Sequence, residues 1–171
     1  MKQVRERQSE GGVFSGDANE PLYGGTYLPR KFKCAVTVPG DNSVDLLTQD
    51  IGLVLFTDPS GRPLGCNVYV GGGMGRTHNK EETFARTADP LGYVDGDHVL
   101  DLVQAIAALQ RDHGDRQQRR HARMKYLIHD RGVDWFRREL QASYFPHPIK
   151  GMRQEPTTRL EDYLGWHRQD R

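Results

Sequence analysis

Residues 51–70 read IGLVLFTDPSGRPLGCNVYV, which is two apolar runs on either side of a turn-forming tetrapeptide. Short runs rich in β-branched and aromatic residues, bounded by turn residues, are typical of β-strands. The tetrapeptide at 58–61, Asp-Pro-Ser-Gly, has the composition of a β-turn because proline presets the φ angle that the second position needs. The sequence therefore predicts a β-hairpin formed by strands at 51–57 and 64–70.

A further strand is predicted before this hairpin. Every second residue from 32 to 38 is apolar, namely Phe32, Cys34, Val36 and Val38. Alternation of this kind is typical of a strand with one buried face. A turn sequence at 39–42, Pro-Gly-Asp-Asn, ends the run. The pattern predicts that Phe32 and Cys34 face the core, and that Lys31 and Lys33 share the opposite face.

After residue 95 the apolar spacing becomes helical. We expect a first helix from about 99 to 109 with Asp97 as its N-cap, and a second from about 116 to 130. A third, at about 133–143, should bury Phe136 and Leu140 and end before Pro146. Strands followed by helices predict an α+β fold, with an antiparallel sheet segment followed by three helices. Residues 1–26 are interpreted as an extended arm, 27–145 as the α+β region and 146–171 as a connecting segment.

Composition narrows the class of protein. The chain has 171 residues, a net charge of +1 and two cysteines, Cys34 and Cys66. We interpret the cysteines as buried free thiols in a reducing compartment, either the cytoplasm or an organelle stroma. No apolar run approaches the ~20 residues of a membrane helix, and the start lacks the apolar core of a signal peptide. The charge balance does not favour general nucleic-acid binding.

Three segments carry features that favour anions. Lys31 and Lys33 should lie on one strand face about 6.5–7 Å apart at their Cα atoms, so an anion between them would relieve their repulsion. Their alternative role is that of solvated lysines at a sheet edge. The run GGGMGRTH at 71–78 follows a strand, and its glycine N–H groups and Arg76 could approach an anion. It lacks the Gly-Lys-Ser/Thr of a P-loop, and a flexible hairpin exit is the alternative.

The third segment is the second predicted helix. Five basic residues and no acidic one occur between 116 and 125. Arg116, Arg119 or Arg120, and Arg123 would share one face, which suits a polycarboxylate, a phosphate or nucleic acid. A merely solvated helix face is the alternative. The seven histidines show no zinc-binding spacing, and no nucleophile elbow is present, so neither a metal site nor a hydrolase is indicated.

Several motifs in order resemble one family. They are YLPRKFK (27–33), TVP (37–39), DNSVDL (41–46), NVYVGGGMGRTH (67–78), DPLGYV (89–94), RMKYLI (123–128) and YLGWH (163–167). Together they resemble the middle of the ferredoxin-dependent assimilatory sulfite reductases, which contain siroheme and a 4Fe–4S cluster. The resemblance spans about 20–167, nearly the whole chain, and is far more specific than any single motif.

The resemblance implies six-electron reduction of sulfite to sulfide at a siroheme iron, with ferredoxin as electron donor. It implies that Lys31 and Lys33 face sulfite, stabilise the anion and help to deliver protons. It further implies that Arg123 contacts siroheme carboxylates, and less directly that Arg30, Asn67 and Arg76 bind the cofactor. Related siroheme nitrite reductases typically carry Asn where this chain has Lys33, so the sequence favours sulfite over nitrite.

One departure from the family pattern concerns the cluster. The family uses four cysteines that this chain lacks, and neither Cys34 nor Cys66 matches a ligand position. We therefore expect a central fragment that works with the remainder of the same polypeptide or a complementary half, and that alone holds siroheme weakly and is inactive. The alternatives are a nitrite reductase fragment and a non-catalytic tetrapyrrole- or anion-binding module. A nucleic-acid-binding domain would need stacking aromatic residues beside the basic segment, and a membrane partner is not indicated.

Overall fold

The computed structural model describes residues 22, 23 and 25–155. Four strands lie in chain order in one sheet: β1 (Cys34–Thr37), β2 (Ile51–Thr57), β3 (Pro63–Val70) and β4 (Asp89–Asp95). The predicted hairpin is confirmed, because β2 and β3 pair antiparallel with Ile51 opposite Val70. Its turn is closed by the Asp58 carboxylate, which accepts a hydrogen bond of 2.9 Å from the Ser60 N–H. β4 pairs antiparallel with β3 and was not among the predicted strands.

The sheet is mixed, because β1 runs parallel to β2 with Cys34 opposite Ile51. The prediction of an antiparallel sheet is therefore right for β2 to β4 and wrong for β1. Parallel neighbours require a crossover connection rather than a tight turn. The connection at 38–50 supplies it, and a short 3-10 turn at Leu46–Thr48 buries Leu46 against Gly52.

Within the described residues three α-helices follow the sheet, as predicted, and the α+β class is confirmed. They are α1 (Val99–His113), α2 (Met124–Arg131) and α3 (Val133–Glu139), and a π turn extends α3 over Leu140–Tyr144. α2 begins later than the predicted 116, because the Asp115 carboxylate accepts hydrogen bonds from the N–H groups of Gln117 and Gln118 and holds a turn there. Asp97 is not the N-cap of α1; a 3-10 turn, Gly96–His98, precedes that helix instead.

The core lies between one face of the sheet and the helices. Phe136 and Leu140 are fully buried in it, as the helical spacing predicted. The cluster contains Ile51, Leu53, Val68 and Val70 from the hairpin and Leu102, Ile106 and Leu109 from α1. Burial of such side chains contributes about 1.5–3 kcal/mol each. This core fixes the hairpin end from which the loop at 71–78 departs.

The predicted inward face of β1 is corrected by the structure. Phe32 packs against the core, but Cys34 is exposed, and Val36 and Val38 are 53% and 47% exposed. β1 is short and lies at the sheet edge, so alternation along it does not imply a buried face. Only Cys66 is a buried thiol, and burial raises its pKa to about 11, which keeps it neutral near pH 7.

The segment after the π turn returns across the sheet. Its Lys150 exchanges two backbone hydrogen bonds with Tyr93 of β4, at 2.8 and 3.0 Å. Further along, the Asn67 side chain donates to the carbonyl of Arg153 at 2.7 Å and accepts from the N–H of Arg153 at 2.9 Å. The Arg153 guanidinium lies over the ring of Tyr93, 4.0 Å from its centroid. Asn67 thus fastens this segment to the centre of the sheet.

The structure describes only parts of the two predicted terminal segments, 1–26 and 146–171. The arm at 1–26 lies mostly outside the described residues, and so does the part of the connecting segment beyond residue 155. Within the described part of the chain, no helix is both long and apolar enough to cross a membrane.

Candidate anion-binding site

The glycine run after β3 packs against backbone. The N–H groups of Gly71, Gly72 and Gly73 donate to the carbonyls of Asp50, Gln49 and Arg86, at 2.9, 2.9 and 2.7 Å. A Cβ at residue 72 would collide with the Leu47 carbonyl and lie 2.7 Å from that of Gln49. The prediction that these three N–H groups face an anion is therefore wrong. Gly72 serves close backbone packing instead, whereas Gly71 and Gly73 let the side chains of Ile128 and Arg123 approach.

A buried lysine holds the outer part of this loop. Lys125 of α2 is fully buried, and its ammonium donates to the carbonyls of Gly73 at 3.1 Å, Gly75 at 2.7 Å and Phe84. Burial, assisted by the charge of Arg123, lowers the pKa of Lys125. The sequence placed this residue in a solvent-facing basic run, so its structural role was missed. The ammonium fixes the path of the loop that carries Arg76.

Asp50 lies beneath the loop and was also missed. It is 0% exposed, and its Oδ2 accepts hydrogen bonds from the Arg123 guanidinium at 2.8 Å and from the Lys33 N–H at 2.9 Å. Arg123 sits against Gly73, where a Cβ would lie 2.7 Å from its Nη1. Asp50 Oδ1 and Arg123 Nε are buried and have no hydrogen-bond partner within the described residues. One carboxylate thus ties the chain just before β1 to the start of α2.

The residues just before β1, the loop at 71–78 and the start of α2 surround an open pocket of about 520 Å³. Six cationic side chains line it: Arg30, Lys31, Arg76, Arg119, Arg120 and Arg123. The other lining residues are Gly75, Thr77, Thr83 and Tyr126, so none of the described residues that line the pocket carries a carboxylate. Arg120 has a distant partner, with 4.0 Å between its Nη1 and Glu82 Oε1, and such an exposed pair contributes little. Counting only the described residues, Arg30, Lys31, Arg76 and Arg119 form no ion pair.

The structure brings together four of the six predicted site residues. Arg30, Lys31, Arg76 and Arg123 line the pocket, whereas Lys33 and Asn67 do not. The Lys33 side chain is exposed, two residues after Lys31 in the chain. The backbone N–H of Lys33 donates its hydrogen bond to Asp50.

The basic segment before α2 is not one helical face, which corrects that prediction. Residues Arg119–His121 form a 3-10 turn, and Arg123 is the N-cap of α2. Arg116 turns away from the pocket and donates to the carbonyls of Thr26 and Tyr27, at 3.0 and 2.5 Å. Arg119 and Arg120 nevertheless reach the pocket. Their cationic character was predicted correctly, although the geometry that presents it was not.

Comparison with known proteins gives a family match. Residues 8–149 match the model of the nitrite and sulphite reductase 4Fe-4S domain. The chain is 63% identical over 153 residues to a sulfite reductase [ferredoxin] of Synechococcus elongatus, covering 90% of this chain and 24% of that protein. It is 43% identical over 153 residues to the sulfite reductase [NADPH] subunit beta of Saccharomyces cerevisiae, covering 86% of this chain and 10% of that protein.

A solved structure is also similar. The NirA protein of Mycobacterium tuberculosis superposes with a TM-score of 0.66 at 26% identity, over 98% of this chain and 27% of that one. The chain thus spans about a quarter or less of the length of these relatives. The family model covers well over half of the chain and agrees with the resemblance in the motifs. The chain belongs to the nitrite and sulphite reductase 4Fe-4S domain family.

Proposed function

We propose that the cationic pocket binds the carboxylates of siroheme together with sulfite, and that the complete protein is a ferredoxin-dependent sulfite reductase. One observation carries the proposal: six cationic side chains line a single pocket, and none of the described residues in its lining carries a carboxylate. Four of the six, Arg30, Lys31, Arg76 and Arg119, form no ion pair within the described residues. Like charges repel one another, so a ligand with several negative charges stabilises the arrangement. The reaction would be the six-electron reduction of sulfite to sulfide.

The pocket residues fit siroheme, because that cofactor carries many carboxylates and the guanidinium groups offer forked donors that match them. When bound, siroheme supplies the iron centre at which the electrons reach the substrate. Arg123, pinned by Asp50, would hold one carboxylate in a fixed place. Arg30, Arg76 and Arg119 would neutralise others. Lys31 would stabilise the oxyanion and donate protons to departing oxygens, and Lys33, exposed two residues further along the chain, would assist it.

The residues present do not fit a 4Fe–4S cluster. Such a cluster takes four thiolates, and the chain has two cysteines. Cys34 is exposed on β1 and Cys66 is buried in β3. We propose that the ligands come from the remainder of the polypeptide or from a complementary half.

Ferredoxin is the proposed electron donor because the 63% identical relative from Synechococcus elongatus is named for it, whereas the relative from Saccharomyces cerevisiae that is named for NADPH is 43% identical. We place the protein in the cytoplasm or an organelle stroma, since the buried free thiol of Cys66 suits a reducing compartment.

The pocket is tested by titrating the chain with siroheme. Replacing Arg76 and Arg119 together by Ala is expected to weaken siroheme binding by about tenfold, because each exposed ion pair contributes up to about 1 kcal/mol. Absorption titration at several salt concentrations measures this, and affinity should fall as salt rises. The matched control is Arg138→Ala, an exposed arginine of α3 outside the pocket. Equal affinities for the double variant and the control would contradict the proposal.

Substrate preference is tested in the complete enzyme. Lys33→Asn is expected to lower the ratio of kcat/KM for sulfite to that for nitrite by about tenfold, the loss expected for one hydrogen bond to a charged group. Sulfite carries more negative charge than nitrite, so removing a cation penalises it more. Steady-state rates with both anions give the ratio, and Lys80→Asn, an exposed lysine outside the pocket lining, is the control. An unchanged ratio would exclude the assigned role of Lys33.

A further inference from the structure

Three donor side chains meet at the start of α1, apart from the cationic pocket. His98 is the last residue of the 3-10 turn before α1, Asp101 lies in the first turn of that helix, and His147 follows the π turn. One nitrogen or oxygen of each lies within 4.8 Å of the others. In the described part of the chain, no other three His, Cys, Asp or Glu side chains come together in this way.

The chemistry of this trio is that of a divalent transition-metal site. Two imidazole nitrogens and one carboxylate oxygen are a common ligand set for Zn²⁺, which binds them at about 2.0–2.2 Å. Ligand atoms around one tetrahedral ion therefore lie roughly 3.4 Å apart. Metal binding would therefore require side-chain rotation to close the present spread of up to 4.8 Å. Asp101 is exposed and the two histidines are half-buried, so such rotation meets little resistance.

The imidazole rings of His98 and His147 are already in contact. Their rings stack with centroids 3.6 Å apart and planes 11° apart. A metal lies close to the plane of each ring that binds it, so two stacked rings cannot share one ion until one of them turns about its Cβ–Cγ bond. His147 lies between Pro146 and Pro148, which restrict the backbone and keep the ring beside α1. The edge of Phe145 also contacts this ring, with centroids 5.3 Å apart.

Space for additional ligands adjoins the trio. Asp101 and His147 line an open pocket of about 680 Å³. Water can reach a metal from this pocket and complete the coordination, as in zinc sites with three protein ligands. Because the donors come from two segments far apart in the sequence, spacing alone did not reveal them.

We propose that His98, Asp101 and His147 form a binding site for a divalent transition-metal ion, with Zn²⁺ as the reference case. Bound metal would cross-link the segment at 146–149 to the start of α1. That segment leads directly into Lys150, which pairs with β4, so the ion would fasten the return of the chain across the sheet. The site is independent of the proposed siroheme pocket, since the two share no residue.

The test uses the untagged 171-residue chain, freed of metal by dialysis against a chelator. Zn²⁺ competition against a chromophoric chelator should show one site, and His98→Ala and His147→Ala should each weaken it at least about tenfold. Asp101→Asn should weaken it while keeping the side-chain shape. His78→Ala, an exposed histidine elsewhere, should leave the affinity unchanged.

Thermal unfolding provides a second readout that separates binding from misfolding. Zn²⁺ should raise the unfolding midpoint of the unchanged chain and of His78→Ala, but not that of His147→Ala. Without metal the midpoints of all variants should be similar, because one exposed and two half-buried side chains contribute little to the apo fold. The proposal is overturned if no stoichiometric Zn²⁺ binds, or if the affinity survives loss of either histidine.

Discussion

Replacing Asp50 by Ala is expected to lower the free energy of unfolding by about 3–5 kcal/mol, the cost of removing one partner from a buried ion pair. Asp50 is fully buried and accepts hydrogen bonds from Arg123 and from the Lys33 N–H. Without it, the largely buried Arg123 guanidinium keeps only a long contact of 3.4 Å to the Gly72 carbonyl among these partners. Both the chain entering β1 and the wall of the pocket would lose their common anchor.

Denaturant unfolding measures this loss, and two variants bracket it. Asp50→Asn keeps the size and one acceptor but not the charge, so its effect should be intermediate. Asp97→Ala removes an exposed carboxylate and should change the stability by less than about 0.5 kcal/mol. If Asp50→Ala is no more destabilising than Asp97→Ala, the pair is not the anchor described here.

The second large effect is expected in the glycine run. Gly72→Ala would drive a Cβ into the carbonyls of Leu47 and Gln49, and neither can rotate away because both belong to the backbone. Overpacking costs about 1–3 kcal/mol, and we expect the upper end of this range because backbone must move. The loop at 71–76 would shift away from the hairpin end and carry Arg76 with it. We expect a lower free energy of unfolding and weaker siroheme binding together.

Gly75→Ala is the matched control in the same loop. A Cβ there meets no atom within 4 Å, and the residue is not among the glycines with positive φ. Its stability should stay within about 0.5 kcal/mol of the parent chain, because Ala merely restricts the unfolded state. Equal stability of the two variants would show that the loop yields freely at position 72.

The hairpin and the helices could be predicted because their signals are local. Residues 51–70 are two apolar runs on either side of a turn sequence, and the apolar residues within 99–109 recur at helical spacing. Each segment therefore specifies its own conformation. β4 was missed because Pro90 and Gly92 disfavour a strand. Pro90 is accommodated where the register between β3 and β4 shifts, at an irregularity that only pairing reveals.

The sequence predicted the positive charge of the pocket, but not the buried residues that position its lining. Arg30, Lys31, Arg76 and Arg123 were indicated by basic runs and by family resemblance, and they line it. Asp50 and Lys125 gave no signal, because a single acid before a strand and a lysine inside a basic run are normally solvated. Their roles depend on contacts between residues distant in sequence, such as Asp50 with Arg123. No local pattern encodes contacts of that kind.

The edge position of β1 has a consequence for local opening of the sheet. Among the described residues, β1 pairs only with β2, over four residues, and Thr37 is its single buried side chain. A segment held by so few buried contacts opens at a lower free energy than the centre of the sheet. Arg30 and Lys31 lie a few residues before β1, so one wall of the pocket is coupled to this opening. A ligand bound to that wall stabilises the closed state, and it should slow amide hydrogen exchange in β1.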